Sequence, residues 1–261
     1  MNIAVITQPD AAVIPENIAK LAGLPGITLK AVLVLDVKGS LANKRGYFLR
    51  GFGAWQCGRL FARLACQRFA AATRRALGGK VREGEGMSVQ QLAARLGVPC
   101  RSTEQLHGDE VLGYLKSLDL ELIVSFSAPI VFKECLLTLP RHGCINLHCS
   151  LLPLYAGLLP SFWVLYHQER QTGATVHYMD TRIDNGGILG QEIVTIEPGS
   201  TMLDVIRKTK QVGGDLMVRV VQEIASGTAS VRENREDKGS YFGWPTIEQM
   251  RQFRRQGGRL S

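Results

Sequence analysis

Apolar residues cluster in short runs separated by polar turns and by stretches of helical spacing. Ile3-Ala4-Val5-Ile6 predicts a first strand over 2–6, and a β-branched run predicts a second over 27–35. Between them, 15–24 has helical spacing with Pro15 near its first turn. This β-α-β opening is the pattern of a parallel sheet. Apolar runs at 120–126, 144–147, 174–179 and 188–196 predict further strands, with 98–100 as a short edge element. Helices are predicted over 88–96, with Ser88 as N-cap, and over 109–118, 161–167 and 201–226. The fold class is therefore α/β, a mostly parallel twisted sheet with flanking helices.

The pattern breaks at 38–86. Eleven basic residues lie between Lys38 and Arg82 with no Asp or Glu among them. The whole chain carries +8, so that window's +11 leaves the remainder at −3. One basic segment thus sits on a nearly neutral body. Its second half, 59–77, favours helix. Leu60, Phe61, Leu64, Phe69, Ala72 and Ala76 share about half of a helical wheel, with Arg59, Arg63 and Arg74 opposite. The expectation is a helix lying on the sheet with a solvated basic face. An anionic substrate or peripheral membrane contact through 38–82 is the sharper alternative, with Phe48, Phe52 and Trp55 flanking the arginines. No nucleic-acid-binding module surrounds the segment, so nucleic acid is not expected as a partner.

The expected organisation is a domain over 1–227, containing the 38–86 basic helical insertion, followed by a 228–261 extension. In that tail Tyr241-Phe242-Gly243-Trp244-Pro245-Thr246 suits a homodimer contact, a substrate lid or packed surface. No apolar run reaches the ~18 residues of a membrane span. The six scattered cysteines form no CxxC pair, and the first residues lack a signal-peptide pattern. A cytoplasmic address is expected. Thr7-Gln8-Pro9-Asp10 has no glycine, which argues against a dinucleotide-binding loop after the first strand.

Candidate chemistry lies in Cys144-Ile145-Asn146-Leu147-His148-Cys149-Ser150-Leu151-Leu152-Pro153. On an extended backbone Asn146, His148 and Ser150 point the same way, beyond the carboxyl end of a strand. Asn and His can donate to an acyl oxygen as it gains charge, and Asp184 can orient water or accept an amine proton. Singly, His148 also reads as a structural strand-end histidine, and Asp184, before Asn185-Gly186-Gly187, as a turn residue. Ser150 lacks a nucleophile elbow. His142, Cys144, His148 and Cys149 are not read as a metal set, since a strand sends 148 and 149 to opposite faces.

Asn146-Leu147-His148-Cys149-Ser150-Leu151-Leu152-Pro153 with Gly157, and Gly173-Ala174-Thr175-Val176-His177-Tyr178-Met179-Asp180 with Ile183-Asp184-Asn185-Gly186-Gly187, resemble the two signature blocks of the folate-dependent formyltransferases. The resemblance covers roughly 120–197 and implies a Rossmann-like sheet. It implies 10-formyltetrahydrofolate as donor co-substrate, no metal, and Asn146, His148 and Asp184 as the catalytic trio. Phe126, Ser127, Ala128, Pro129 and Ile130 match a loop whose backbone reads the pterin ring. Asp180, Ile183 and Asp184 match the loop on its other side. His177 and Ser150 match supporting residues. Cys149 and Asn185 depart from the family pattern, the first read as a packing group.

Within that resemblance, the glycinamide ribonucleotide branch is disfavoured by the loop after the first strand. The methionyl-tRNA branch is disfavoured because few residues follow 196 to form its C-terminal barrel, and the deformylating hydrolases by the start of the chain on its first strand. The expected activity is formyl transfer to a primary amine, an amino sugar carried on a nucleotide. Formyltetrahydrofolate hydrolysis and formylation of a lipid-linked or other small amine are the alternatives.

Overall fold

The computed structural model describes residues 1–9, 13–36 and 45–261, so Asp10, Lys38, Lys44 and the start of the basic insertion lie outside the described residues. The strands are β1 (Asn2–Thr7), β2 (Thr28–Leu35), β3 (Cys100–Thr103), β4 (Leu122–Phe126), β5 (Cys144–His148), β6 (Ala156–Gly157), β7 (Gln171–Tyr178), β8 (Ile188–Thr195) and β9 (Tyr241–Phe242). The helices are α1 (Ile14–Ala22), α2 (Arg45–Ala76), α3 (Val89–Leu96), α4 (Asp109–Lys116), α5 (Glu134–Leu137), α6 (Pro160–Tyr166), α7 (Met202–Ser226) and α8 (Ile247–Arg255).

Seven of these strands form one sheet in the order β3-β2-β1-β4-β5-β7-β8. The first five are mutually parallel, whereas β7 runs antiparallel to β5 and β8 antiparallel to β7. The chain leaves β1 toward β2 and β3, then returns to β4 and β5 on the other side. That reversal opens a crevice beyond the carboxyl ends of β1, β4 and β5.

Period-two alternation builds a core on each face of the sheet. Ile3, Val5, Val32, Val124 and Ile145 join Ile18 of α1 and Leu216 of α7 on one side. Ala4, Ile6, Leu33 and Ile123 join Leu115 and Leu136 on the other. Ser88 caps α3 through a reciprocal pair with Gln91, as its sequence position predicts. Thr201 caps α7 in the same way with Asp204, which holds the first turn of that helix against the crevice.

The basic helix departs from expectation. It begins at Arg45 and is broken at Gly53, whose φ of 82° is a left-handed conformation open to glycine. It does not lie on the sheet, although Arg59 and Arg74 of its basic face are exposed. It packs on α8, and Phe52, Phe162, Trp163, Met250 and Phe253 form a third core of α2, α6 and α8. Tyr47 Oη donates to the Pro245 carbonyl across the same contact. The wheel is rotated as well: Arg63 pairs with Asp204 of α7 at 2.7 Å, and Arg74 pairs with Glu85 at 2.5 Å. Phe69, assigned to the covered arc, is 75% exposed. The physical reason is competition, because an aromatic core from the tail claims the first half of α2 and ion pairs turn the second half. Among the described residues no helix is long and apolar enough to cross a membrane.

Candidate active site

The crevice holds a cleft of about 410 Å3 between the end of β5, residues 127–132 and residues 180–184. β5 delivers Asn146 and His148 into it, and β7, paired with β5, sets His177 directly opposite Asn146. Asp184 comes from the turn after β7. Its Oδ2 accepts the Gly157 backbone N–H at 2.8 Å and lies 3.3 Å from His148 Nδ1, while its Oδ1 lies 3.6 Å from His177 Nε2. His148 and His177 thus flank the buried Asp184 carboxylate, and Asn146 joins the group through His177. Burial raises the Asp184 carboxyl, but His148, His177 and the Gly157 N–H outweigh it and hold the pKa at about 2.

Each ring nitrogen of the two histidines has a defined neighbour. His177 Nδ1 lies 2.6 Å from the Tyr178 carbonyl, so it carries the proton, and Nε2 is left to accept from Asn146 Nδ2 at 3.3 Å. That contact fixes the Asn146 amide and leaves its second N–H for a ligand. His148 Nε2 lies 2.9 Å from the Tyr155 carbonyl, with the Asp184 carboxylate at its other nitrogen. The ring can serve both acceptors only with a proton on each nitrogen. In this arrangement Asn146 is the open donor at the cleft, whereas His148 is held between Tyr155 and Asp184.

Ser150 does not join the trio's direction. β5 ends at His148, so strand alternation fails there, and Ser150 Oγ donates to the Leu154 carbonyl at 2.7 Å. For the same reason Cys149 lines the cleft beside His148 rather than facing away. Burial pushes its thiol up, the opposite of an activated thiolate. Phe126 is also corrected: its side chain lies in the core and its carbonyl accepts Thr7 Oγ1 at 2.8 Å, so it does not line the cleft. Ser127, Ala128, Pro129 and Ile130 do line it, facing Asp180 and Ile183. Asn185 Nδ2 donates to Asp180 Oδ2 at 3.1 Å, which ties the ends of that second loop. Among the described residues no group of three or more His, Cys, Asp or Glu side chains is placed to hold a metal ion.

The sequence model of the formyl transferase family matches residues 68–221, which span β3 to β8 and most of α7. The chain belongs to the formyl transferase family. A methionyl-tRNA formyltransferase of Halothermothrix orenii is 31% identical over 92% of this chain and 64% of its own length. One from Staphylococcus aureus strain JH1 is 35% identical over 54% of this chain and 45% of its own. The chain therefore spans less than two thirds of these relatives. Methionyl-tRNA formyltransferases, disfavoured on the sequence alone, are thus among the similar proteins. Among solved structures, a sugar N-formyltransferase from Shewanella sp FDAARGOS_354 superposes with a TM-score of 0.60 at 19% identity, over 93% of this chain and 76% of that one. The N-formyltransferase from Helicobacter canadensis, in complex with folinic acid and dTDP-3-aminofucose, gives 0.58 at 16%, over 97% and 79%. These formyl transferases share the fold of this chain.

Several groups at the formyl transferase cleft are not among the site residues named from the sequence. Asn234 Nδ2, from the tail, donates to the Asp184 and Gly186 carbonyls at 2.8 and 3.3 Å. Trp244 lines the cleft from the same tail, and Ser125 lines it from β4 with its buried hydroxyl unpartnered among the described residues. Gly157, quoted only as part of a signature, has φ 94° and would place a Cβ 2.3 Å from the Phe242 carbonyl. Its glycine identity is what lets β6 pair with β9 while its N–H reaches Asp184. Ser127, Tyr155 and Asp184 also hold positive φ, at 56°, 59° and 49°. Left-handed backbone of this kind costs on the order of 1–3 kcal/mol per residue and gathers at functional sites.

Proposed function

We propose that this chain transfers a formyl group from 10-formyltetrahydrofolate to the primary amine of an amino sugar. The observation that carries the reading is the buried Asp184 carboxylate held among His148, His177 and the Gly157 N–H, with the Asn146 amide open beside it. The donor's pterin is assigned to the cleft between residues 127–130 and 180–184, where backbone groups are at hand for a flat polar ring. The neutral amine attacks the formyl carbon, and the carbonyl oxygen becomes an oxyanion. Asn146 donates to that oxygen, and His148 joins it if the Tyr155 carbonyl yields. Asp184, kept ionised well below neutral pH, takes the amine proton directly or through water. With the C–N bond formed, the oxyanion collapses, the bond from carbon to folate N10 breaks, and N10 leaves with the proton that Asp184 took from the amine. The likeness in fold to sugar N-formyltransferases supports the acceptor class.

A second reading, formylation of methionyl-tRNA, is favoured by the sequence relatives. One assay separates the readings. The protein is incubated with 10-formyltetrahydrofolate and either amino sugars or methionyl-tRNA, and a mass gain of one formyl group is sought. Gain on the tRNA alone would replace the first reading with the second. Rapid formate release without any amine would replace both with hydrolysis.

A further inference from the structure

A larger chamber of about 840 Å3 adjoins the cleft. The two cavities share Gln8, Met202, Ile206 and Lys210 in their linings. One side is α2, with Leu60, Phe61 and Leu64, and the other is the first turns of α7, with Leu203 and Ile206. The lining is mainly apolar, with cationic groups set into it. Arg82 and Arg74 are spent on Glu16 and Glu85, at 3.1 and 2.5 Å. Arg68 and Arg207 make no ion pair within 4.0 Å among the described residues. Arg207 Nε and Gln67 Oε1 are buried in the lining with no hydrogen-bond partner among the described residues. Unpaired buried polar atoms are rare and costly, and a ligand that pairs them removes the cost.

An apolar wall with one guanidinium N–H left open matches a chain-bearing molecule with a single anionic group, and the open Gln67 amide oxygen suits an N–H or O–H of the same molecule. A nucleotide asks for more, since its base, ribose and diphosphate all need polar partners. The outer surface of α2 agrees. Trp55 and Phe69 of α2, and Leu77 just past its end, are 77%, 75% and 81% exposed. At about 100° per residue they fall within roughly 80° of arc, together with Arg59. A helix that turns aromatic and basic residues outward suits a surface where amphiphiles reside.

We propose that the chamber holds the apolar chain of the formyl acceptor, an amphiphilic primary amine bearing a phosphate-type anion. The proposal rests on the formyl-transfer reading and names the carrier of its amine. The chain lies between α2 and α7, the anion meets Arg207 and Arg68, and the amine reaches Asn146 and Asp184 past Met202 and Ile206.

Dodecyl phosphate, below its micelle-forming concentration, is the probe, titrated by calorimetry against the whole chain. Inorganic phosphate and dTDP are the comparison ligands, and 5-formyltetrahydrofolate is titrated separately. Dodecyl phosphate is expected to bind at least tenfold more tightly than either comparison ligand. Leu64→Asp is expected to weaken it at least tenfold while leaving folate affinity within twofold. Phe61→Ser, at a more exposed lining position, gives the same direction should Leu64→Asp fail to fold. Arg207→Gln is expected to bring dodecyl phosphate close to dodecanol in affinity. Equal binding of dodecyl phosphate and inorganic phosphate, or unchanged binding in both chain-lining variants, overturns the proposal. Tighter binding of dTDP that displaces the probe overturns it in favour of a nucleotide carrier. Loss of folate binding in the unaltered chain, with probe binding intact, instead removes the formyl-transfer reading.

Discussion

His148 Nδ1 lies 3.3 Å from Asp184 Oδ2, and their side chains are only 7% and 11% exposed. A buried carboxylate this close to imidazole nitrogens needs hydrogen-bond donors to remain ionised. The Gly157 N–H supplies one and His148 Nδ1 a second, with the His177 ring 3.6 Å from the other carboxylate oxygen. Asp184→Asn preserves shape but removes the charge and the proton acceptor. Turnover is expected to fall about 10²–10⁴-fold with folding retained. Formyl-transfer assays and circular dichroism on the purified variant check this, and near-normal turnover removes Asp184 from its role.

The same carboxylate gives a pH signature. Its pKa is about 2 in the fold against an ordinary 3.8. A depressed carboxyl contributes stability above its unfolded pKa and loses it as pH falls through the folded one. The contribution is on the order of 2 kcal/mol. The melting-temperature advantage of the native chain over Asp184→Asn is therefore expected to hold steady between pH 6 and 4 and to shrink from about pH 3.8 to pH 2. An advantage that persists unchanged at pH 2 contradicts the assignment.

How far the sequence reached follows from the range of each interaction. β5 and α3 were legible because alternation and capping are local, and Ser88 caps as its position predicts. Asn146, His148 and Asp184 were legible because two short blocks carry their pattern. Ser150 was misplaced because alternation stops where the strand stops, and nothing local marks His148 as its last residue. The orientation of α2 was illegible for another reason. Its partners Met250, Phe253 and Asp204 lie far along the chain, and a helical wheel contains no information about them. Asn234 falls in the same class, since its only signal is the pair of carbonyls it meets.

Asn234 itself offers a test of the tail's contribution. Asn234→Ala frees the Asp184 and Gly186 carbonyls, which loosens the turn that carries Asp184 without touching the trio. Stability is expected to drop by about 1 kcal/mol, the usual worth of such bonds. In kinetics the KM for the folate donor is expected to rise more than kcat falls, because the loop lines the donor's side of the cleft. A fall confined to kcat points instead to a direct part in the chemistry.

Gly157 joins the tail to the carboxylate most directly. Its N–H bonds Asp184, Ala156 and Gly157 itself pair with Tyr241 and Phe242, and its φ of 94° excludes an ordinary side chain. In Gly157→Ala the new methyl meets the Phe242 carbonyl at 2.3 Å, so β6 and β9 must separate or the turn must shift. Overpacking of this kind costs about 1–3 kcal/mol. Phe242 also stacks on Trp163, with ring centroids 4.8 Å apart, so separation disturbs the aromatic layer beneath it. The expected outcome is a lower melting temperature, a change in tryptophan emission and a loss of transfer that resembles Asp184→Asn. Gly157→Ala with a native melting temperature and native turnover would show that the backbone absorbs the methyl, and would remove the Gly157 N–H from the set of groups that hold Asp184.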